Sequence, residues 1–251
     1  MLSFARPRPW LLGHRGVTKG APENTLAAFE AALKAGLDGV ETDVQRSRDG
    51  VLVIHHDPVL EGRLIAKTAF AELRALKPDL PRLEEVFELF DAWPDRLLNL
   101  ELKSLPGHED GRTEVLAEAL LAWPGRGRAW VSSFDPVALY RLRRRAPELP
   151  TGYLFMALDT SFFARFIGAA AVHPRLELLT PGRVARWRRQ GFAVVSWTAN
   201  DPKAARRALT LGVDGLIGGD PAVLLEAKQE AGHAEVDQEP GDVGDGGDQG
   251  V

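Results

Sequence analysis

With 251 residues, 45% hydrophobic and 26% charged, the chain has the composition of an ordinary globular protein, long enough for one α/β barrel or two smaller domains. The absence of cysteine excludes a disulfide scaffold, thiolate catalysis and a zinc–sulfur site. The formal net charge of −4 argues against a general nucleic-acid binder and is unevenly spread: residues 232–251 hold six acids and no lysine or arginine, leaving 31 basic against 29 acidic side chains elsewhere.

The N-terminal MLSFARPRPWLLGHRG lacks the continuous apolar run of a secretory signal. The most apolar later stretch, residues 162–172, is interrupted by Arg165 and falls well short of the roughly 20 residues that cross a bilayer. No stable membrane insertion and a cytoplasmic location are therefore expected. Strand-like runs occur at 11–14, 39–45, 51–56, 97–103, 129–133, 193–198 and 215–218. Helix-like segments lie between them at 25–35, 83–90, 113–123, 137–145, 183–190 and 203–211, with Leu26, Phe29, Ala32 and Leu33 marking one apolar helix face. Asp135-Pro136, Asp201-Pro202, Asp220-Pro221 and Thr180-Pro181 sit at junctions; the first residue caps free helix amides and the proline has no N–H to leave unpaired. Repeated strand–cap–helix units predict a parallel sheet covered by helices, best met by a single-domain TIM (β/α)8 barrel over residues 1–230; a doubly wound open sheet is the alternative. Residues 231–251 read as a disordered, acidic, Gly-rich tail without EF-hand spacing.

Chemistry concentrates at the ends of the strand-like runs. His14 and Arg15 close the first run before Gly16, at the carboxyl end where parallel α/β proteins bind ligands. Glu41 and Asp43 are two apart, so their carboxylates share one strand face. Glu101 and Lys103 repeat that spacing. Carboxylates crowded together need compensating cations, either arginine and lysine or a metal; an all-oxygen set without sulfur suits Mg²⁺ or Ca²⁺. His55 and His56 are adjacent and face opposite sides of a strand, so one of them can enter a barrel mouth.

Together, LLGHRG, APENT, GVETDVQ, VIHHDP and LNLELK resemble the glycerophosphodiester phosphodiesterase family, with PRLEEVFEL, VSSFDP, VVSWTANDP and GVDGLIGGDP following in the expected order across residues 10–225. The resemblance implies a TIM barrel that hydrolyses small-molecule glycerophosphodiesters to an alcohol and glycerol 3-phosphate. It implies His14 and His56 as general acid and base, Arg15 and Lys103 as phosphate-binding groups, and Trp197 flanking the glycerol. Glu41, Asp43 and Glu101 become ligands of a divalent metal, Mg²⁺ or Ca²⁺, and Glu23 and Asn24 a supporting loop. For Asn24, capping of the helix that follows is the plainer role. The family's nucleophile is thought to be the substrate's own 2-hydroxyl. Alternatives are a lysophospholipase-D-like hydrolase of lipid phosphodiesters and a non-catalytic phosphate-binding barrel. Two departures bear on substrate enclosure: EGRLIAKTAFAEL is shorter than the family's usual stretch and lacks its Arg-Thr-Thr turn. Gly218-Gly219 stands where a threonine is common; a tight turn is the plainer reading, and backbone amides approaching phosphate the alternative. Among remaining side chains, His173 reads as structural, His108 as a solvated loop residue, and Ser132 and Ser133 as lacking the motif of a serine nucleophile. Phe162, Phe163, Phe166 and Ile167 read as a core stripe, with an exposed lip for lipid tails as the alternative.

Overall fold

The computed structural model describes residues 8–104 and 110–236. In chain order the first half forms β1 (Trp10–His14), α1 (Leu26–Lys34), β2 (Gly39–Arg46), β3 (Leu52–Ile54), β4 (Val59–Leu60), β5 (Arg63–Leu64), α2 (Phe70–Leu76), α3 (Leu83–Asp91), β6 (Leu97–Leu102) and α4 (Arg112–Ala122). The second half forms β7 (Ala129–Ser133), α5 (Pro136–Arg145), β8 (Thr151–Phe155), α6 (Phe162–Ile167), β9 (Ala171–Pro174), α7 (Pro181–Arg189), β10 (Ala193–Ser196), α8 (Pro202–Thr210), β11 (Gly215–Gly218) and α9 (Pro221–Val236). The strands pair in the order β1-β11-β10-β9-β8-β7-β6-β2, and β1 also pairs in parallel with β2. Eight parallel strands thus close on themselves as a TIM barrel, which excludes the open sheet.

The punctuation acts as its chemistry dictates. Asp135 accepts from the amides of Val137 and Ala138, Thr180 from Arg183, and Asp201 from Ala204, each one residue ahead of a helix-opening proline. Three local readings are corrected. The run at 51–56 supplies no barrel stave: only Leu52–Ile54 is strand, and it lies antiparallel to β2 after a turn in which the Ser47 hydroxyl accepts from Val51 N. β8 and β9 are two further staves. The last helix continues to Val236, past residue 230; residues 237–251 and His108 lie outside the described residues. Among the described residues, no helix is long and apolar enough to cross a membrane.

Two apolar layers hold the barrel. The larger lies between helices and strands and includes Phe29, Leu33, Phe90, Leu98, Leu139, Trp187 and Leu216. The smaller fills the lumen toward the amino ends of the strands, where Trp10, Leu12, Leu97, Trp130, Val195 and Ile217 pack together. A plugged floor leaves the carboxyl ends as the open end.

His173, in β9, belongs to this packing. It is fully buried, its Nε2 accepts from Trp130 Nε1 at 3.2 Å, and Gly152 on the neighbouring strand makes room, since a Cβ there would lie 2.4 Å from Nε2. Burial pushes the imidazole down from 6.5 to about 3. Between those values the unfolded chain binds a proton that the folded chain refuses, so stability falls as pH drops below 6.5. From pH 6.5 to 5 this amounts to about 2 kcal/mol. Urea unfolding at pH 7 and pH 5 should show a smaller drop in His173→Asn than in the parent, and equal drops would remove His173 as the cause.

Candidate active site

The open end collects side chains from the strands and the loops that follow them. His14 is the last residue of β1. Arg15 then turns into the left-handed region (φ 56°), its amide donating to Glu41 O at 2.8 Å. Gly16 follows at φ 86°, pressed so closely on α1 that a Cβ would lie 2.6 Å from the Ala28 backbone. This tight turn presents both His14 and Arg15 to the lumen. Register places His14 opposite Glu41 and Asp43 opposite Glu101 on adjacent strands.

Asp43 is the hub. Lys103 Nζ lies 2.8 Å from its Oδ1, Arg15 Nε lies 3.2 Å from its Oδ2, and Asn24 Nδ2 donates to Oδ2 at 2.8 Å. Lys103 also reaches Glu101 Oε1 at 2.6 Å, and Arg15 Nη1 bonds both oxygens of the exposed Glu23 at 2.9 and 3.0 Å. Asn24, buried and at φ 57°, accepts from Thr42 Oγ1 at 2.7 Å, tying the loop to β2. It does not cap α1; Thr25 does, accepting from Ala28 N. Nor does Gly219 offer its amide to a ligand, because that N–H donates to Asn200 Oδ1 at 2.9 Å.

One oxygen from each of Glu41, Asp43 and Glu101 lies within 4.8 Å of the others. Their charges are unequally met. Burial raises the Asp43 carboxyl, but Lys103, Arg15 and the bonds from Lys103 and Asn24 outweigh it and hold the group below 3.8. Glu41 is pushed well above 4.5 by burial and by the neighbouring Asp43 and Glu101. Glu101 rises for the same reasons, with Lys103 opposing. Among the described residues no lysine or arginine side chain pairs with Glu41; it has only the Arg15 amide at 3.3 Å and His14 Nε2 at 3.9 Å. A buried carboxylate lacking a cation, converging with two others, is the donor set of a hard divalent ion, so these residues fit one.

His14 is lowered to about 4, chiefly by burial and then by Arg15, and is neutral near pH 7. His56 enters the mouth, its Nδ1 held 2.7 Å from Asp57 Oδ1, whereas His55 does not line the cavity. A carboxylate only accepts, so Nδ1 is the donor in this contact and Asp57 fixes the orientation of the ring. The cavity, about 120 Å³, combines His14, Arg15, Glu41, His56, Glu101 and Lys103 with an apolar wall formed by Phe134, Leu154, Met156 and Trp197. Trp197 packs edge-on to Phe134, with centroids 5.5 Å apart, and its Nε1 donates to His173 O.

Several contributors escape sequence inspection. Asn99 and Ser132, hydrogen-bonded to each other at 3.0 Å, line the base of the cavity. Gln45 is buried, and its Nε2 donates to the carbonyls of His55, His56 and Asp57 at 3.2, 3.1 and 2.5 Å. Both were visible as period-two extensions, Asn99-Glu101-Lys103 and Glu41-Asp43-Gln45, of faces already singled out. Arg112 Nη1 donates to Lys103 O at 2.6 Å and fixes the chain just beyond β6.

Comparison with known proteins gives the same picture. A glycerophosphodiester phosphodiesterase of Caldanaerobacter subterraneus is 30% identical over 240 residues, covering 88% of this chain and 98% of that protein. The structure of an Oleispira antarctica phosphodiesterase, in complex with the product sn-glycerol-3-phosphate, superposes with a TM-score of 0.80 at 29% identity, covering 88% of this chain and 97% of that one. A glycerophosphodiester phosphodiesterase of Thermotoga maritima gives a TM-score of 0.73 at 28% identity, with 89% and 99% covered. The sequence profile of the glycerophosphoryl diester phosphodiesterase family matches residues 14–223, from the His14 at the mouth to the start of the last helix, and the chain belongs to that family.

Proposed function

We propose that this glycerophosphodiester phosphodiesterase is a metal-dependent, two-histidine enzyme that releases glycerol 3-phosphate from small glycerophosphodiesters. The observation that carries the reading is the meeting of Glu41 and Glu101, Asp43 buried beside them, with His14, His56, Arg15 and Lys103 at one cavity. When bound, a Mg²⁺ or Ca²⁺ ion would withdraw charge from the nonbridging phosphate oxygens. Arg15 and Lys103 add fixed positive charge on the same side and help position the phosphodiester. His14, neutral because burial and Arg15 disfavour its cation, accepts the proton of the substrate's 2-hydroxyl as that oxygen bonds to phosphorus. His56, its ring oriented by Asp57, donates a proton to the leaving alkoxide as the P–O bond breaks. Water then opens the cyclic phosphate with the two roles reversed. Phe134 and Trp197 offer flat apolar surfaces to the glycerol carbons.

Phosphorus NMR of a glycerophosphodiester panel tests this, with each substrate assayed after chelation and after Mg²⁺ or Ca²⁺ add-back. Glycerol 3-phosphate should appear only after add-back. Full turnover in the chelated enzyme would remove the carboxylate cluster from catalysis, and binding of glycerol phosphate without cleavage of any diester would favour a non-catalytic barrel.

Gln45 supplies a second check, because it holds the segment carrying His56. Gln45→Leu should lower kcat about 10- to 100-fold with little change in KM, since misplacing a catalytic group by about 1 Å has that effect. An unchanged kcat in a folded Gln45→Leu protein would mean that His56 is positioned without it.

A further inference from the structure

Eight large apolar side chains are substantially exposed among the described residues, and they are not scattered. Met156, Leu158, Phe162 and Phe166 fall within eleven consecutive residues after β8, and Phe166, at 89%, is the most exposed of all. Val137 and Tyr140 lie on α5, which packs against α6. The segment starts at the cavity: Met156 lines it, and Phe134, just before α5, lines it too. Phe162 and Phe166 are one helical turn apart, so both project from the same side of α6 while Ala164 and Ile167 are buried behind them. The sequence stripe therefore divides into an inward and an outward half. Large apolar groups held in water beside a cavity mouth mark an interaction surface.

The charges around this lip indicate its partner. Arg165 is exposed between the two phenylalanines and has no ion pair among the described residues. Arg143, whose guanidinium lies near Gly168 at the end of α6, donates to Pro147 O and has no ion pair among the described residues. Arg183 and Arg186 share one acid, Asp159. Four cations against two anions, Asp159 and the α5-capping Asp135, give the rim a local positive excess in a chain whose net charge is −4. Attraction to an anionic surface acts within about 10 Å, so the rim and not the net charge governs contact. Exposed Phe and Leu rimmed by arginine match the interfacial layer of an anionic bilayer, apolar groups entering the acyl boundary and guanidiniums meeting headgroup phosphates.

We infer that the β8–α6 lip, with the adjoining face of α5, docks this enzyme reversibly on anionic phospholipid membranes, with the catalytic mouth at the membrane surface. Such docking is peripheral and needs no spanning segment. It is also separate from the chemistry at the cavity, so loss of turnover leaves it intact and loss of docking leaves hydrolysis of a soluble diester intact.

Co-sedimentation of the full chain with vesicles tests it, comparing phosphatidylglycerol mixed with phosphatidylcholine against phosphatidylcholine alone. The parent should partition onto the anionic vesicles at low salt and come off as salt rises. The double variant Phe162→Ser/Phe166→Ser should lose partitioning at least about tenfold, and Arg165→Glu about fivefold or more. Both should keep their melting temperature and their rate on soluble glycerophosphocholine to within about twofold. Absence of binding to anionic vesicles, or binding unaffected by the Phe variants, overturns the inference. A parent dimer that the Phe variant converts to monomer, without vesicle binding, assigns the lip to a second copy and overturns it too.

Discussion

Replacing Glu41 with glutamine should abolish metal-dependent turnover and at the same time stabilise the metal-free protein. The two effects have one origin. Glu41 is buried beside Asp43 and Glu101, and among the described residues it has no cationic side-chain partner. Without an ion, its folded-state carboxyl is raised above 4.5. Above 4.5 the folded chain therefore retains a proton that the unfolded chain gives up, and stability is lost as pH rises through the raised value. Glutamine is close in shape and carries no charge, so Glu41→Gln should raise metal-free stability by about 1 kcal/mol at pH 7 and flatten that loss. The same change removes an oxygen donor, and activity should fall at least about 10²-fold. Asp43→Asn should behave oppositely in the fold. Asp43 is held below 3.8 by Lys103 and Arg15, and its stabilisation is present above that value and lost on acidification. Removing its charge leaves Lys103 with Glu101 alone and Arg15 with the exposed Glu23 alone, at a cost of about 1–3 kcal/mol. Thermal melts of both variants, with and without Mg²⁺, read out the contrast. A Glu41→Gln protein that melts lower than its parent in chelator, or that the metal stabilises as much as it does the parent, would show that Glu41 is a structural partner and no ligand.

What the sequence displays and what it conceals follow from the range of each interaction. Barrel staves bounded by strong punctuation are legible: residues 129–133 end before Asp135-Pro136, and 215–218 before Asp220-Pro221. β8 and β9 are not. Thr151–Phe155 runs on into Met156-Ala157-Leu158 without a break in hydrophobicity, and Ala171–Pro174 is the tail of an apolar stretch that begins in α6. β3 misleads because a three-residue apolar run has no direction of its own; Asp49-Gly50 before it, with Gly50 at φ 92°, is the hairpin signal that makes it antiparallel. At the site, groups that share a strand face are readable from period two. The asymmetry between Glu41 and Asp43 is not, because it depends on Arg15 and Asn24 arriving from a loop whose left-handed turns only the fold reveals. The outward half of the Phe162–Ile167 stripe is likewise invisible in one dimension: six residues leave the helical face undetermined until α5 is in place.

His14 and His56 should be separable by the leaving group. Both His14→Ala and His56→Ala are expected to lower turnover of glycerophosphocholine by about 10² or more while folding persists, the usual size of a general acid–base contribution. Choline is a poor leaving group as its alkoxide and needs a proton, whereas nitrophenolate departs without one. On the two-histidine reading, His56→Ala should recover most of its rate on a nitrophenyl glycerophosphodiester, because the donor it lacks is no longer required in the first step. His14→Ala should remain slow on both substrates, because neither supplies a base for the 2-hydroxyl. Asp57→Asn provides the intermediate case: it keeps the ring of His56 but removes the carboxylate 2.7 Å from Nδ1, so its defect should follow that of His56 and be milder. If the nitrophenyl ester instead rescues His14→Ala, the roles are exchanged, and the cations near His14 favour departure of the product and not capture of the proton. If it rescues neither, the two histidines hold the phosphate and its ion in place, and the proton transfers belong to water.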